Sequence, residues 1–286
     1  MSTAVATRAR GQRLRMLPAT VMLALVGVTT AFPLLYALVT ALRTQSDYGR
    51  GSLAVPREIT FQNLQDAWQA AGLGRLAVNS LIVVSISVAV TVLVSSMAAF
   101  ALVHLGLPAR VGRFGTLTAL FLLALPSTVL ITPIFKVTLD LGLLNSYLGL
   151  VLVYVSLSSP FGIYMMTTYF RAVPREILQA AEVDGASAPR RFVSIAIPLA
   201  RPAMATLTAL TALTLWNDLL FSLILIQDPQ RRTLTVGVSL LESSFAQSSS
   251  AVVLTAGLLI STLPPLVLFI FMNRSLMRGL VAGALK

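Results

Sequence analysis

Six stretches of this chain run for more than twenty residues with at most one charged side chain, and no other feature limits its fold as tightly. Residues 16–42 lie between Arg15 and Arg43, 76–109 between Arg75 and Arg110, 114–135 between Arg113 and Lys136, 141–170 between Asp140 and Arg171, and 243–273 between Glu242 and Arg274, while 202–227 carries only Asp218. Each can supply the ~20 residues that cross about 30 Å of hydrocarbon at a helical rise of about 1.5 Å. Inside lipid the backbone has no water to bond, so each segment must satisfy its own N–H and C=O groups, which a helix does. Only 11% of the 286 residues are charged and 56% are hydrophobic, whereas a soluble domain carries about 25% charged residues. The expected fold is all-α: a polytopic membrane protein with one transmembrane domain over residues 1–286. Its six spans are expected at about 17–42, 76–101, 114–136, 147–169, 203–227 and 251–273. The first apolar stretch is longer than the 7–15 residues of a cleaved signal peptide and no small-residue cleavage site follows it, so it reads as a span.

Placing the N-terminus inside puts fourteen basic residues in the cytoplasmic segments: four before the first span, Arg110 and Arg113, five between Arg171 and Arg201, and Arg274, Arg278 and Lys286. The other side holds seven, among them Arg43, Lys136 and Arg231. Basic loop residues favour the cytoplasm, so both termini are expected inside. The same placement accounts for the formal net charge of +11 without nucleic acid.

Several chemistries are excluded by residue type. There is no cysteine for a disulfide, thiolate metal site or nucleophile, and the single histidine, His104, cannot build a multi-histidine cluster or a catalytic triad. A phosphate-binding loop needs G-x-x-x-x-G-K-[ST]. The lysines are Lys136, followed by Val137, and the last residue, Lys286. Any ATP-driven function therefore requires a separate ATPase, and the chain itself is expected to be non-catalytic, with no metal or cofactor of its own.

The longest cytoplasmic connection, about residues 171–202, has a pattern of its own. Pro174 suits a first helical position, Glu176 complements the helix dipole, and Ile177, Leu178 and Ala181 share one face. Gly185 stands where a left-handed cap would end the helix. Ser187 or Ala188 with Pro189 starts a second helix, with Phe192, Ile195 and Ala196 as its apolar face, and Pro198 and Pro202 are expected to end it before the fifth span. Such a stiff pair either lies on the bilayer as an interfacial helix or docks into a cytoplasmic partner.

The residues here resemble the signature of the permease subunits of ATP-binding-cassette importers, E-A-A, three residues, G, nine residues, I-x-L-P. The chain has Gln179-Ala180-Ala181, three residues, Gly185, nine residues, and Ile195-Ala196-Ile197-Pro198. Gln179 replaces the glutamate and Ile197 the leucine. Leu215-Trp216-Asn217-Asp218, the ending Arg278–Lys286, Phe61-Gln62-Asn63-Leu64 and Asn79-Ser80 resemble the carbohydrate-uptake branch, the relatives of the maltose-type permease. The resemblance implies a multi-pass protein of the bacterial plasma (inner) membrane that moves a sugar or sugar-like solute. It implies a second permease chain, different from this one, as partner, two ATPase subunits that hold ATP and magnesium, an extracytoplasmic solute-binding protein, and surrounding lipid. It implies that Gln179, Ala180, Ala181, Glu182, Asp184, Gly185, Ala186, Ser187, Ile195 and Pro198 form the ATPase-coupling loop, and that the tail reaches the ATPase.

Asp218 carries an independent signal. A charge deep in a span costs ~2.5 kcal/mol or more, so it is retained where protein or water compensates it. With Trp216 and Asn217 it is expected to line a translocation path, where a polyol would find hydrogen bonds and an aromatic face. Three rivals stand beside this reading: a secondary transporter, which the lack of a visible internal repeat disfavours, a non-transporting scaffold, and the same machinery carrying a different solute such as glycerol phosphate.

Overall fold

The computed structural model describes the backbone of residues 2–51, 54–70, 72–245 and 251–284, and side chains within 18–51, 54–69, 72–108, 110–240 and 251–270. Among these residues there is no strand, only an isolated bridge between Arg43 and Ile59. Five helices are long and apolar enough to cross a membrane, or six if one sharply bent pair counts as a single span. The chain divides into two units, Met1–Ala71 with Leu241–Ile260, and Gly72–Leu240 with Ser261–Lys286.

The first unit contains the long helix α1 (Ser2–Ala41), a single turn of helix α2 (Gln45–Gly49) and α3 (Gln62–Ala70). Its connecting segment is ordered by polar groups. Asn63 donates from Nδ2 to the carbonyls of Ala41 and Arg43, at 2.8 and 2.6 Å. Asp47 accepts from the backbone N–H groups of Arg57 and Glu58 and pairs with Arg50 at 3.2 Å. The bond from the Arg57 N–H is the main reason its carboxyl titrates below the ordinary aspartate value, against the opposing effect of burial.

The second unit is built on α4 (Leu73–His104), which packs against α7 (Tyr147–Phe170) and α10 (Ile197–Trp216). Ser87, Thr91, Ser95 and Ala99 repeat every four residues along one buried stripe of α4. Small side chains let helix backbones approach closely where no hydrophobic drive exists between helices and lipid. The approach of α7 is close at Gly162, where an added Cβ would lie 2.3 Å from Ser95 Oγ.

Proline decides two departures from straight spans. The stretch expected at 114–136 is a bent pair, α5 (Ala109–Ala124) and α6 (Ile131–Asp140), with a short 3₁₀ turn over Ser127–Leu130 and a bend of 91°. Leu125, which precedes Pro126, takes ψ 123°, because the proline ring disfavours helical backbone in the residue before it. At the other site proline does not end a helix. The segment Ala188–Trp216 is continuous, running from α9 (Ala188–Arg191) through one π turn, Phe192–Ala196, into α10. The expectation that Pro198 and Pro202 separate a short helix from the fifth span is therefore corrected. Pro198 has no N–H to donate and crowds the carbonyl four residues earlier. The chain widens by one residue there, with the Ile197 N–H on Phe192 O, and continues. Pro160, Pro202, Pro264 and Pro265 likewise lie inside helices.

After α10 come the short helix α11 (Leu220–Leu225), then α12 (Leu234–Phe245) and α13 (Ala251–Ala284). The segment between α11 and α12 is tied down at that end of the unit. Asn79 of α4 donates to the carbonyls of Gln230 and Arg232 at 2.9 and 3.0 Å, and Ser80 Oγ accepts from the Leu234 N–H at 2.7 Å. Asn145, just before α7, has φ 56°. Its Oδ1 accepts from the N–H groups of Gln227 and Asp228, at 2.6 and 2.9 Å, and Arg231 donates to its carbonyl.

Candidate functional site

Between α7 and α9 lies α8 (Arg175–Val183). Its end is a complete Schellman closure: Gly185 has φ 82°, its N–H bonds Glu182 O at 3.0 Å, and the Ala186 N–H bonds Ala181 O at 2.9 Å. Glycine suits this left-handed position because it has no Cβ to clash. Ser187 precedes the next helix in extended conformation, and Pro189 sits in its first turn.

The two faces of α8 have different fates. Leu178 is 3% exposed and joins the core with Phe192 and Ala196. Ile177, expected on the same face, is 44% exposed and points away, and Val183 is 87% exposed. Gln179, Ala180, Glu182, Asp184, Gly185, Ser187 and Pro198 are exposed, while Ala181, Ala186 and Ile195 are half-buried. The core beneath is aromatic: Phe100 of α4 lies 6.1 Å from Phe170 of α7 and 5.2 Å from Phe192, ring centre to ring centre.

Trp216, Asn217 and Asp218 do not come together in one site. Trp216 is the last residue of α10 and Asp218 lies in the break before α11, not within a continuous span as expected. Asp218 Oδ2 accepts from Tyr154 Oη at 2.8 Å and from the Ser222 N–H at 3.0 Å, so it caps the short helix and fastens it to α7. It also lines a cavity of about 440 Å³ with Tyr154, Ser127, Ser158, Thr211 and Thr214. Asn217 donates to Leu213 O at 2.7 Å, closing its own helix. Trp216 lines a different, apolar cavity of about 740 Å³ with Leu81, Val88 and Pro264.

Sequence reasoning missed Tyr154, Asn145 and Arg191. Tyr154 and Ser158 are one turn apart in an otherwise apolar stretch, a spacing that places two hydroxyls on one face. Arg191 is buried and Nη1 donates to Glu182 Oε2 at 2.5 Å. No local pattern announces a pair across nine residues.

Comparison with known proteins bears on the whole chain. The family described as "Binding-protein-dependent transport system inner membrane component" matches residues 91–281. The sulfoquinovosyl glycerol transport system permease protein of Agrobacterium fabrum is 30% identical over 277 residues, covering 96% of this chain and 94% of the relative. The trehalose transport system permease protein of Mycobacterium tuberculosis is 29% identical over 254 residues, covering 89% and 92%. A chain in the crystal structure of a bacterial ABC transporter involved in the import of the acidic polysaccharide alginate superposes with a TM-score of 0.78 at 20% identity, over 93% of this chain and 97% of that one. That likeness establishes a shared fold.

Proposed function

Because this chain belongs to the family of binding-protein-dependent transport system inner membrane components, we propose that it is a transmembrane permease subunit of an ATP-binding-cassette importer that moves a sugar or sugar-like solute across the plasma membrane. The observation that carries the reading is the family match over 191 residues, 91–281, which includes both the 171–202 segment and Trp216–Asp218. The sugar-derived solutes named for the relatives supply the substrate class. The chain is a non-catalytic subunit. ATP and magnesium belong to two separate ATPase subunits, and a second permease and an extracytoplasmic solute-binding protein complete the machine.

In this reading residues 179–187 are the ATPase contact. The exposure of Val183 and Ile177 among the exposed polar residues Glu176, Gln179 and Glu182, on a helix whose other face is committed to the core, supports it, since a mix of apolar and polar side chains suits a protein partner. The cavity beside Asp218 supports a solute path: six oxygen-bearing side chains around about 440 Å³ offer a polyol donors and acceptors at its edges. Asp218, Tyr154 and the hydroxyls near them line that cavity, while Trp216 lines the separate apolar cavity and Asn217 closes its own helix.

The test is uptake of labelled disaccharide by a strain with and without this chain. Uptake is expected to vanish with the chain absent, to stop on ATP depletion, and to survive a protonophore for as long as ATP persists. Uptake that follows the proton gradient with no ATPase subunit would restore the secondary-transporter reading. Since the sequence has no cysteine, the same cells report sidedness. A single cysteine at Gln230 is expected to react with an impermeant thiol reagent from outside and one at Ser187 only from inside. The reverse pattern would overturn the orientation.

A further inference from the structure

Resting on the reading of 179–187 as the ATPase contact, the geometry points to a second role inside that loop: we propose that the Glu182–Arg191 ion pair is the latch that makes α8 and the inner end of the Ala188–Trp216 helix move as one body. A docking helix transmits force only if it is stiffly joined to the span it moves, and the direct link between α8 and α9 is a four-residue turn through Gly185. Glycine there allows the left-handed cap but adds nothing that resists bending.

Arg191 resists it. It projects from α9, one residue before the π turn, and its side chain is 10% exposed, while that of Glu182 is 61% exposed. The pair is therefore asymmetric. An exposed pair on the surface contributes little, but a guanidinium held largely out of water needs its counter-ion, because the charge left behind is costly when one partner is removed. Arg191 Nε has no partner among the described residues, so Glu182 is the carboxylate that compensates this cation. Leu178 on α8 and Phe192, the residue after Arg191, are buried in the same core, so the latch is backed by an apolar contact on the same side. The π turn at Phe192–Ala196 follows at once. Such a turn is a place where a helix bends, and a stiff joint before it directs motion of α8 into the fifth span at that point.

The latch is a positioning device, tested in two steps on the assembled transporter. Spin labels on cysteines at Glu176 and Arg190, both exposed, report the distance across the turn. A single narrow distribution is expected in the otherwise native chain, and a broadened one in E182Q and in R191Q. An unchanged distribution in E182Q would overturn the latch. The second readout is solute imported per ATP hydrolysed. E182Q is expected to lower it roughly fivefold or more, and E182C/R191C is expected to recover it when a short bis-thiosulfonate bridges the two thiols, each thiolate displacing a sulfinate to form a mixed disulfide, and to lose it again when a reductant cleaves those disulfides. Broadening with no fall in the ratio would leave the latch standing and sink the ATPase-contact reading instead. A fall that the spacer fails to reverse would count against the latch.

Discussion

At one end of the α4–α7–α10 core, five backbone groups of residues 227–234 are held by just three side chains, Asn79, Ser80 and Asn145. At the other end, residues 174–191 are held by Leu178, Phe192 and a single ion pair. Hydrogen bonds have directional geometry, and a set of them admits one arrangement. Apolar burial scales with area and is non-directional, so a helix seated on an aromatic floor can rock with little loss. The difference leaves the polar end fixed in geometry and the aromatic end freer to move, an arrangement that would suit the drive from one side proposed above.

Leu178→Ala is expected to have the largest effect. Truncating a fully buried leucine costs ~2–4 kcal/mol, and the loss should be felt in α8. Hydrogen exchange is expected to show deprotection of 175–183 with amides 227–234 unaffected. Deprotection of both segments would mean that the two ends are one cooperative unit and that the comparison fails.

Asn145→Ala is expected to cost about 1–3 kcal/mol, combining the lost acceptor for two N–H groups with a left-handed backbone that alanine tolerates poorly. The readout is faster proteolytic cutting within 226–234 and a lower unfolding temperature. Asn145→Gly separates the causes, since it restores the backbone and not the acceptor. If the glycine variant were indistinguishable from native protein, the hydrogen bonds would contribute nothing and the end would be held by turn geometry alone.

Val183→Asp is expected to change stability least, within ~0.5 kcal/mol, because an exposed side chain loses no packing. Its unfolding temperature should match the native protein while disaccharide uptake falls sharply. Full uptake would show that this exposed apolar face is not a contact surface.

Much of the architecture follows from local chemistry, and so it could be read from the chain directly. Charge-free length marks helices because lipid leaves the backbone no alternative. The left-handed Gly185 could be expected from its place after an amphipathic stretch, since only the residue's own sterics are involved. Even the sites of departure were marked: Pro126 and Pro198 are visible as residues. What each does was not. Pro126 sits at a bend of 91°, whereas Pro198 is absorbed into a continuous helix by a π turn. The outcome depends on whether neighbouring helices hold the chain straight, which a single stretch of sequence does not encode.

The candidate site divides along the same line. Asp218 stood out by its cost in an apolar stretch, but its partners, Tyr154 and the Ser222 N–H, come from α7 and from the helix it caps. Trp216, Asn217 and Asp218 are adjacent in sequence and yet serve an apolar cavity, a helix end and a polar cavity, because the helix breaks between them and each side chain leaves in its own direction. Arg191 reads as one more cytoplasmic arginine until the Gly185 turn brings Glu182 to it. Sequence alone thus marked the long apolar stretches that become helices, the lack of a phosphate-binding loop in this sequence, and where the turn of the 171–202 loop falls. All three rest on residue type and spacing. Tertiary packing alone decided which polar groups meet, because a hydrogen bond or ion pair between distant residues exists only once the helices that carry them have been set side by side.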